Sequence, residues 1–224
     1  MAKHRAERRR MPWWQESFLL LVLALGASVL VKAFFVQMFF VPSASMHPTL
    51  IEDDRIVVEK VSMWDGQVDR GDVVVFKDPG GWLGATPVPT GFQKFLSIIG
   101  LYPEGGHLVK RVIGVGGDHV VCCDKRGRIT VNGVALHERE YLPKHTAPSL
   151  KQFNVHVPED AVWVMGDNRS NSEDSRYHQD QPGKGTVPAE DVVGRVGVIV
   201  WPLDRIQILH RPDTFEDVPP PTSP

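Results

Sequence analysis

A basic arm followed by a long uncharged run constrains this chain more than any other feature. Residues 1–16 carry Lys3, Arg5, Arg8, Arg9 and Arg10 against Glu7 and Glu16, a net charge of +3, whereas the whole chain stands at −2. From Phe18 to Val31 there is no charge, and the apolar character runs on to Val41, broken only by Lys32 and Gln37. A helix needs roughly 20 apolar residues to cross a bilayer core of about 30 Å. The run reaches that length if Trp13 and Trp14 sit at one interface and Lys32 snorkels to the other. A cleaved leader would share the basic start, and small-x-small triplets occur at Ala24-Leu25-Gly26 and Gly26-Ala27-Ser28. Both triplets lie inside the apolar run, so a retained single-pass anchor is expected over 17–38. The positive-inside rule keeps the arm, 1–16, cytoplasmic and turns the chain beyond about residue 40 outward.

The remainder has the composition of a β protein. Lys and Arg number 25 against 27 Asp and Glu, a balance that argues against nucleic-acid binding. With 42% hydrophobic residues the chain can bury a core, and 18 Pro with 20 Gly suit short strands joined by turns rather than a helical bundle. β-branched runs bounded by Gly, Asp or Asn predict strands at 55–61, 72–76, 108–113, 119–122, 128–131, 161–165 and 194–201. Asn132-Gly133 predicts a tight hairpin between Ile129–Val131 and Val134–Leu136. The fold class expected is mainly β, with a catalytic region over 39–212 behind one transmembrane helix. Phe92, Phe95, Leu96 and Ile99 have helical spacing, which predicts a short amphipathic helix over 90–102, packed on the core or lying on a membrane. The Pro-rich acidic tail, 213–224, is expected to be disordered. Cys122 and Cys123 are the only cysteines; sequence neighbours rarely achieve disulfide geometry, so no bridge is expected, and two cysteines cannot make a structural zinc site.

Several catalytic patterns are missing. There is no Gly-x-Ser-x-Gly, no Ser-x-x-Lys and no His-Glu-x-x-His, and no histidine pair has metal-ligand spacing. No metal and no cofactor are expected. Three other segments stand out: Ser43-Ala44-Ser45-Met46-His47-Pro48-Thr49-Leu50, Leu108-Val109-Lys110-Arg111-Val112-Ile113, and Gly166-Asp167-Asn168-Arg169-Ser170-Asn171-Ser172-Glu173-Asp174-Ser175-Arg176. Each alone could be a turn, a strand and a polar loop, and Asn168-Arg169-Ser170 is also a glycosylation sequon.

Together, in this order and behind one anchor, they resemble bacterial type I signal peptidase, the membrane-bound Ser-Lys protease family. The resemblance runs from the anchor to about Leu209, and Arg70-Gly71-Asp72-Val73-Val74 resembles the family's remaining box. It implies that Ser45 is the nucleophile and Lys110 the general base. It also implies that Ser43 joins the Ser45 backbone N–H in an oxyanion hole and that Ser172 orients the lysine amine. Asp174 and Arg176 match the charged pair that braces the loop. The pockets for small substrate side chains are implied to be lined by Phe39, Val41, Met46, Leu50 and Val109. An inserted β region, here about 118–162, is expected to be short. Ala44 departs from the family, where many members have Gly, so the turn must tolerate an L-residue.

The residue types make chemical sense on their own. A serine hydroxyl needs a base within about 3 Å, and an exposed lysine, with a pKa of about 10.4, is protonated and cannot serve. Burial favours the neutral amine, and Lys110 lies between Leu108-Val109 and Val112-Ile113. Arg111, pointing to the other face of the strand, is expected to stay solvated. The activity implied is removal of signal peptides after Ala-x-Ala sites at the outer membrane surface, by a monomer whose partners are exported preproteins and membrane lipid. The alternatives are a self-cleaving Ser-Lys protease of the repressor type and a non-catalytic membrane-tethered β module.

Overall fold

The valine-rich segments pair into two antiparallel sheets. The computed structural model describes residues 12–63, 68–84, 91 and 106–221. Helix α1, Trp13–Phe34, leads into strand β1, Val36–Phe40. Strands β2 (Arg55–Glu59), β3 (Val73–Lys77) and β4 (His107–Gly114) follow. Next come β5 (His119–Cys122), β6 (Ile129–Val131), β7 (Val134–Ala135) and β8 (Phe153–His156). Last are β9 (Ala161–Met165), β10 (Val187–Pro188), β11 (Val192–Trp201) and β12 (Gln207–Ile208). The larger sheet has the order β1-β2-β11-β3-β4-β9-β10, with β12 on β11; the smaller is β7-β6-β5-β8. The smaller sheet falls within the stretch expected to be inserted. Its hairpin turns at Asn132 and Gly133, whose φ angles of 50° and 82° are those of a two-residue turn that favours Asn-Gly.

Three apolar clusters hold the sheets together. Val41, Met46, Leu50, Ile56, Val58, Val73, Val75, Val196 and Ile199 fill one side of the larger sheet. Val74, Phe76, Trp82, Val112 and Val164 belong to a second cluster. The third joins the two sheets through Ile113, Val120, Ile129, Tyr141, Phe153, Trp163 and Met165.

Several expectations need correction. The helix ends at Phe34 rather than near residue 38, because Val36–Phe40 is drawn into the sheet by pairing with β2. The tail is not disordered as far as it is described: Phe215 and Val218 are buried in the third cluster, and the carbonyl of Val218 accepts from Arg70 while that of Pro219 accepts from Asn132. Two apolar side chains and backbone acceptors outweigh the tail's proline and acidic composition. Cys122 and Cys123 are bonded to each other, their Cα atoms 3.0 Å apart across a cis peptide bond. The 90–102 helix lies outside the described residues. Among the described residues no helix is long and apolar enough to cross a membrane; the part of α1 described in full stops at Val29.

Candidate active site

Ser45 lies in a single 3-10 turn, Ala44–Met46, directly after β1, and Lys110 lies in the middle of β4. Met46 is the apolar peg that seats this turn in the first cluster. Ala44 is not among the residues with positive φ, so the turn accepts an L-residue without strain. Lys110 is only 4% exposed, and its Nζ donates to Ser45 Oγ at 2.9 Å and to the Val109 carbonyl at 3.0 Å. Burial lowers the amine's pKa from 10.5 to about 8. The Asp174 and Asp167 carboxylates oppose that shift, and the Arg176 guanidinium reinforces it. Desolvation therefore wins over two nearby negative charges. The Ser43 hydroxyl is 3.4 Å from the Ser45 hydroxyl and stands at the open side of the turn.

The loop after β9 surrounds this pair with a dense polar lattice. Asn168 holds the Ser45 turn at two points: its backbone N–H donates to the Ser45 carbonyl and its Nδ2 to the Ala44 carbonyl, both at 3.0 Å. The Asp174 carboxylate accepts from the Gly166 N–H and from Arg176 Nε and Nη2, and both side chains are wholly buried. Gly166 permits the close approach. A Cβ there would collide with the Ser172 hydroxyl and the Ser45 carbonyl, so only glycine fits between them. Ser172, expected to orient the lysine amine, is buried, but its hydroxyl has no hydrogen-bond partner, so it makes no hydrogen bond to that amine.

Arg111 is the clearest departure from the sequence reading. It is 2% exposed rather than solvated, and its Nε and Nη2 grip Asp167 at 2.8 and 2.7 Å. Its face of β4 is covered by the inserted region, whose Tyr141 ring stacks under the guanidinium at 4.4 Å. Thr49 Oγ1 also donates to Asp167, so this carboxylate ties the segment after Ser45 to β4. Arg169, fully buried, donates to the carbonyls of Gly166 and Pro148 and to Glu138 Oε1, joining the loop to the inserted region. Sequence reasoning takes Gly166, Asp167 and Asn168 only as letters of a motif. The available signal was an Asp following an all-apolar strand, which needs a buried cation as partner.

The expected pocket residues come together. Val41, Met46 and Leu50 are buried in one cluster, with Phe39 and Val109 partly buried against it. β1 pairs only with β2, so its other edge is open in the described sheet. Among the described residues no cluster of His, Cys, Asp or Glu could hold a metal.

Comparison with known proteins identifies the family. A family model described as "Signal peptidase, peptidase S26" matches residues 14–201. The chain is 39% identical to a signal peptidase I of Mycobacterium tuberculosis, over 85% of this chain and 74% of that one. It is 34% identical to a signal peptidase I of Leptolyngbya laminosa, over 87% and 81% of the two chains. To signal peptidase I P of Bacillus subtilis subsp. natto it is 32% identical, over 84% and 89%. With a buried amine beside a serine hydroxyl, and relatives matching over most of their length, the chain belongs to the signal peptidase family, peptidase S26.

Proposed function

We propose that this signal peptidase removes signal peptides from exported preproteins with Ser45 as nucleophile and Lys110 as general base. The observation that carries the reading is the 2.9 Å contact between Lys110 Nζ and Ser45 Oγ, made by an amine whose pKa is lowered to about 8. In its neutral form the amine takes the hydroxyl proton as Ser45 Oγ attacks the scissile carbonyl carbon. The Ser45 N–H and the Ser43 hydroxyl stabilise the resulting oxyanion. Collapse of the tetrahedral intermediate breaks the C–N bond, and the protonated amine returns the proton to the leaving nitrogen. Water then hydrolyses the acyl-enzyme by the same route. In this reading the Ser172 hydroxyl, packed against Gly166 and left without a partner, turns to the amine when substrate binds.

The open edge of β1 suits an extended substrate added as a further strand. Its alternate side chains enter shallow pockets at Phe39, Val41, Met46, Leu50 and Val109, which favour small residues. For location, the same reading makes α1 a single membrane anchor with the basic arm inside and the sheets outside. Its 22 residues correspond to about 33 Å of helix. Met38, Val57, Val198 and Ile208 form one row across β1, β2, β11 and β12, and Met38 and Ile208 are exposed, which extends the apolar surface next to α1.

The test is incubation of the full chain in detergent with a preprotein carrying an Ala-x-Ala site. Cleavage in trans after the second Ala is expected, with losses of at least about 10⁴-fold in Ser45→Ala and in Lys110→Arg, since nucleophile and base act as a unit. Lys110→Arg keeps a cation but cannot supply a neutral base. Self-cleavage alone would indicate the repressor-type alternative, and no cleavage a non-catalytic module.

A further inference from the structure

The inserted region contains a cleft that the catalytic reading does not use. It has a volume of about 1020 Å³ and opens between the β5–β6 turn and the segment after β7. Leu136, Leu142 and Pro148 line its apolar part, and Arg126, Arg139 and Lys144 stand in its walls. Those three cations are exposed and make no ion pair among the described residues. His137 and His145 add two more groups able to donate to an anion. The single acid in the lining, Glu138, is already engaged by Arg169 and by the Tyr141 hydroxyl. In a chain of net charge −2, a cleft whose free charges are all positive is a selective feature.

From this we infer that the cleft binds an acidic segment of polypeptide, namely the part of the preprotein that continues beyond the scissile bond. The inference rests on the proposed function for its substrate. Charge complementarity points to Asp and Glu side chains, and the apolar lining suits a peptide better than a bare polyanion. The cleft also adjoins the catalytic loop. Glu138 and Pro148, both in its wall, are held by Arg169, which donates to the Gly166 carbonyl beside Ser172 and Ser45. A chain lying in the cleft therefore rests on two residues, Glu138 and Pro148, that are bonded to the same buried arginine as the Gly166 carbonyl.

Two preproteins identical except for Asp and Glu or Asn and Gln in the mature segment are compared with the full chain in detergent, alongside a triple Arg126→Ser, Arg139→Ser, Lys144→Ser variant. Exposed charge pairs are individually weak, so the variant is expected to raise KM for the acidic preprotein about tenfold. Its kcat, and both constants for the neutral preprotein, should not change. Binding of a fluorescent Glu-rich peptide to the full chain carrying Ser45→Ala, read by anisotropy, should weaken by a similar factor in the triple variant. Equal effects on both preproteins, or none, would overturn the inference. So would displacement of nothing but inorganic polyphosphate, which would make the cleft a site for another polyanion. If the chain cleaves no preprotein, the proposed function fails. Retained peptide binding would then still assign the cleft to acidic polypeptide, and absent binding would dismiss it.

Discussion

The Ser45 turn and the loop that surrounds it solve opposite problems. Around Ser45 and Lys110 the chain withholds a direct counter-ion: the amine is buried and bonds one hydroxyl and one carbonyl, with no carboxylate as partner. In the loop from Gly166 to Arg176 it concentrates charge. Asp167 is paired with Arg111, Asp174 with Arg176 and Arg169 with Glu138, all buried. A lysine that serves as the proposed base needs desolvation without a neutralising partner, whereas a rigid loop needs polar groups with few alternatives. The two are compatible because the carboxylates nearest the amine are occupied by arginines, which limits how far they hold the amine's pKa up.

The largest effect expected from this contrast is on stability. Asp174→Ala leaves Arg176 buried without its partner and removes the acceptor of the Gly166 N–H. Breaking a buried pair this way should cost about 3–5 kcal/mol, read as a lower urea midpoint at constant slope. The pair Arg195–Glu59, with side chains 38% and 24% exposed, serves as the control. Truncating Arg195 should cost under about 1 kcal/mol, and a similar cost at both pairs would remove the distinction between the regions. A smaller effect, on rate, is expected for Gly166→Ala. The added methyl must displace the Ser172 hydroxyl or the Ser45 carbonyl, and small misplacements of reacting groups cost about 10²-fold in kcat. An unchanged kcat would show that the turn is not held as tightly as the Asn168 contacts imply.

Much of the fold was legible because β-branched runs and the Asn132-Gly133 turn are local signals. Strands β5 and β9 have the predicted limits, and β2, β3, β4, β6, β7 and β11 shift by one or two residues at their ends. Strands β8, β10 and β12 were not predicted, and β1 lies mostly in the stretch expected to be anchor. What was not legible depends on long-range partners. Arg111 alternates off the strand as expected, yet no local rule reveals that Tyr141 and Asp167 cover that face. Phe215 and Val218 bury themselves in a cluster whose other members, Tyr141 stacked on Phe215 among them, lie far away in the sequence, which composition cannot signal. In the site, Ser45, Lys110, Asp174 and Arg176 were readable as a motif, and Asn168's double hold on the turn was not, because it depends on carbonyls rather than side chains.

The central claim is that the base is a neutral lysine, and the pH dependence of kcat/KM on the full chain in detergent tests it most directly. Below a pKa of about 8 the amine of the folded enzyme is mostly protonated, so activity should rise about tenfold per pH unit. It should level off above about 8, and no histidine variant should move that inflection. A plateau already reached by about pH 7, with an inflection near the value of a free imidazole that vanishes in one His→Gln variant, would contradict the account.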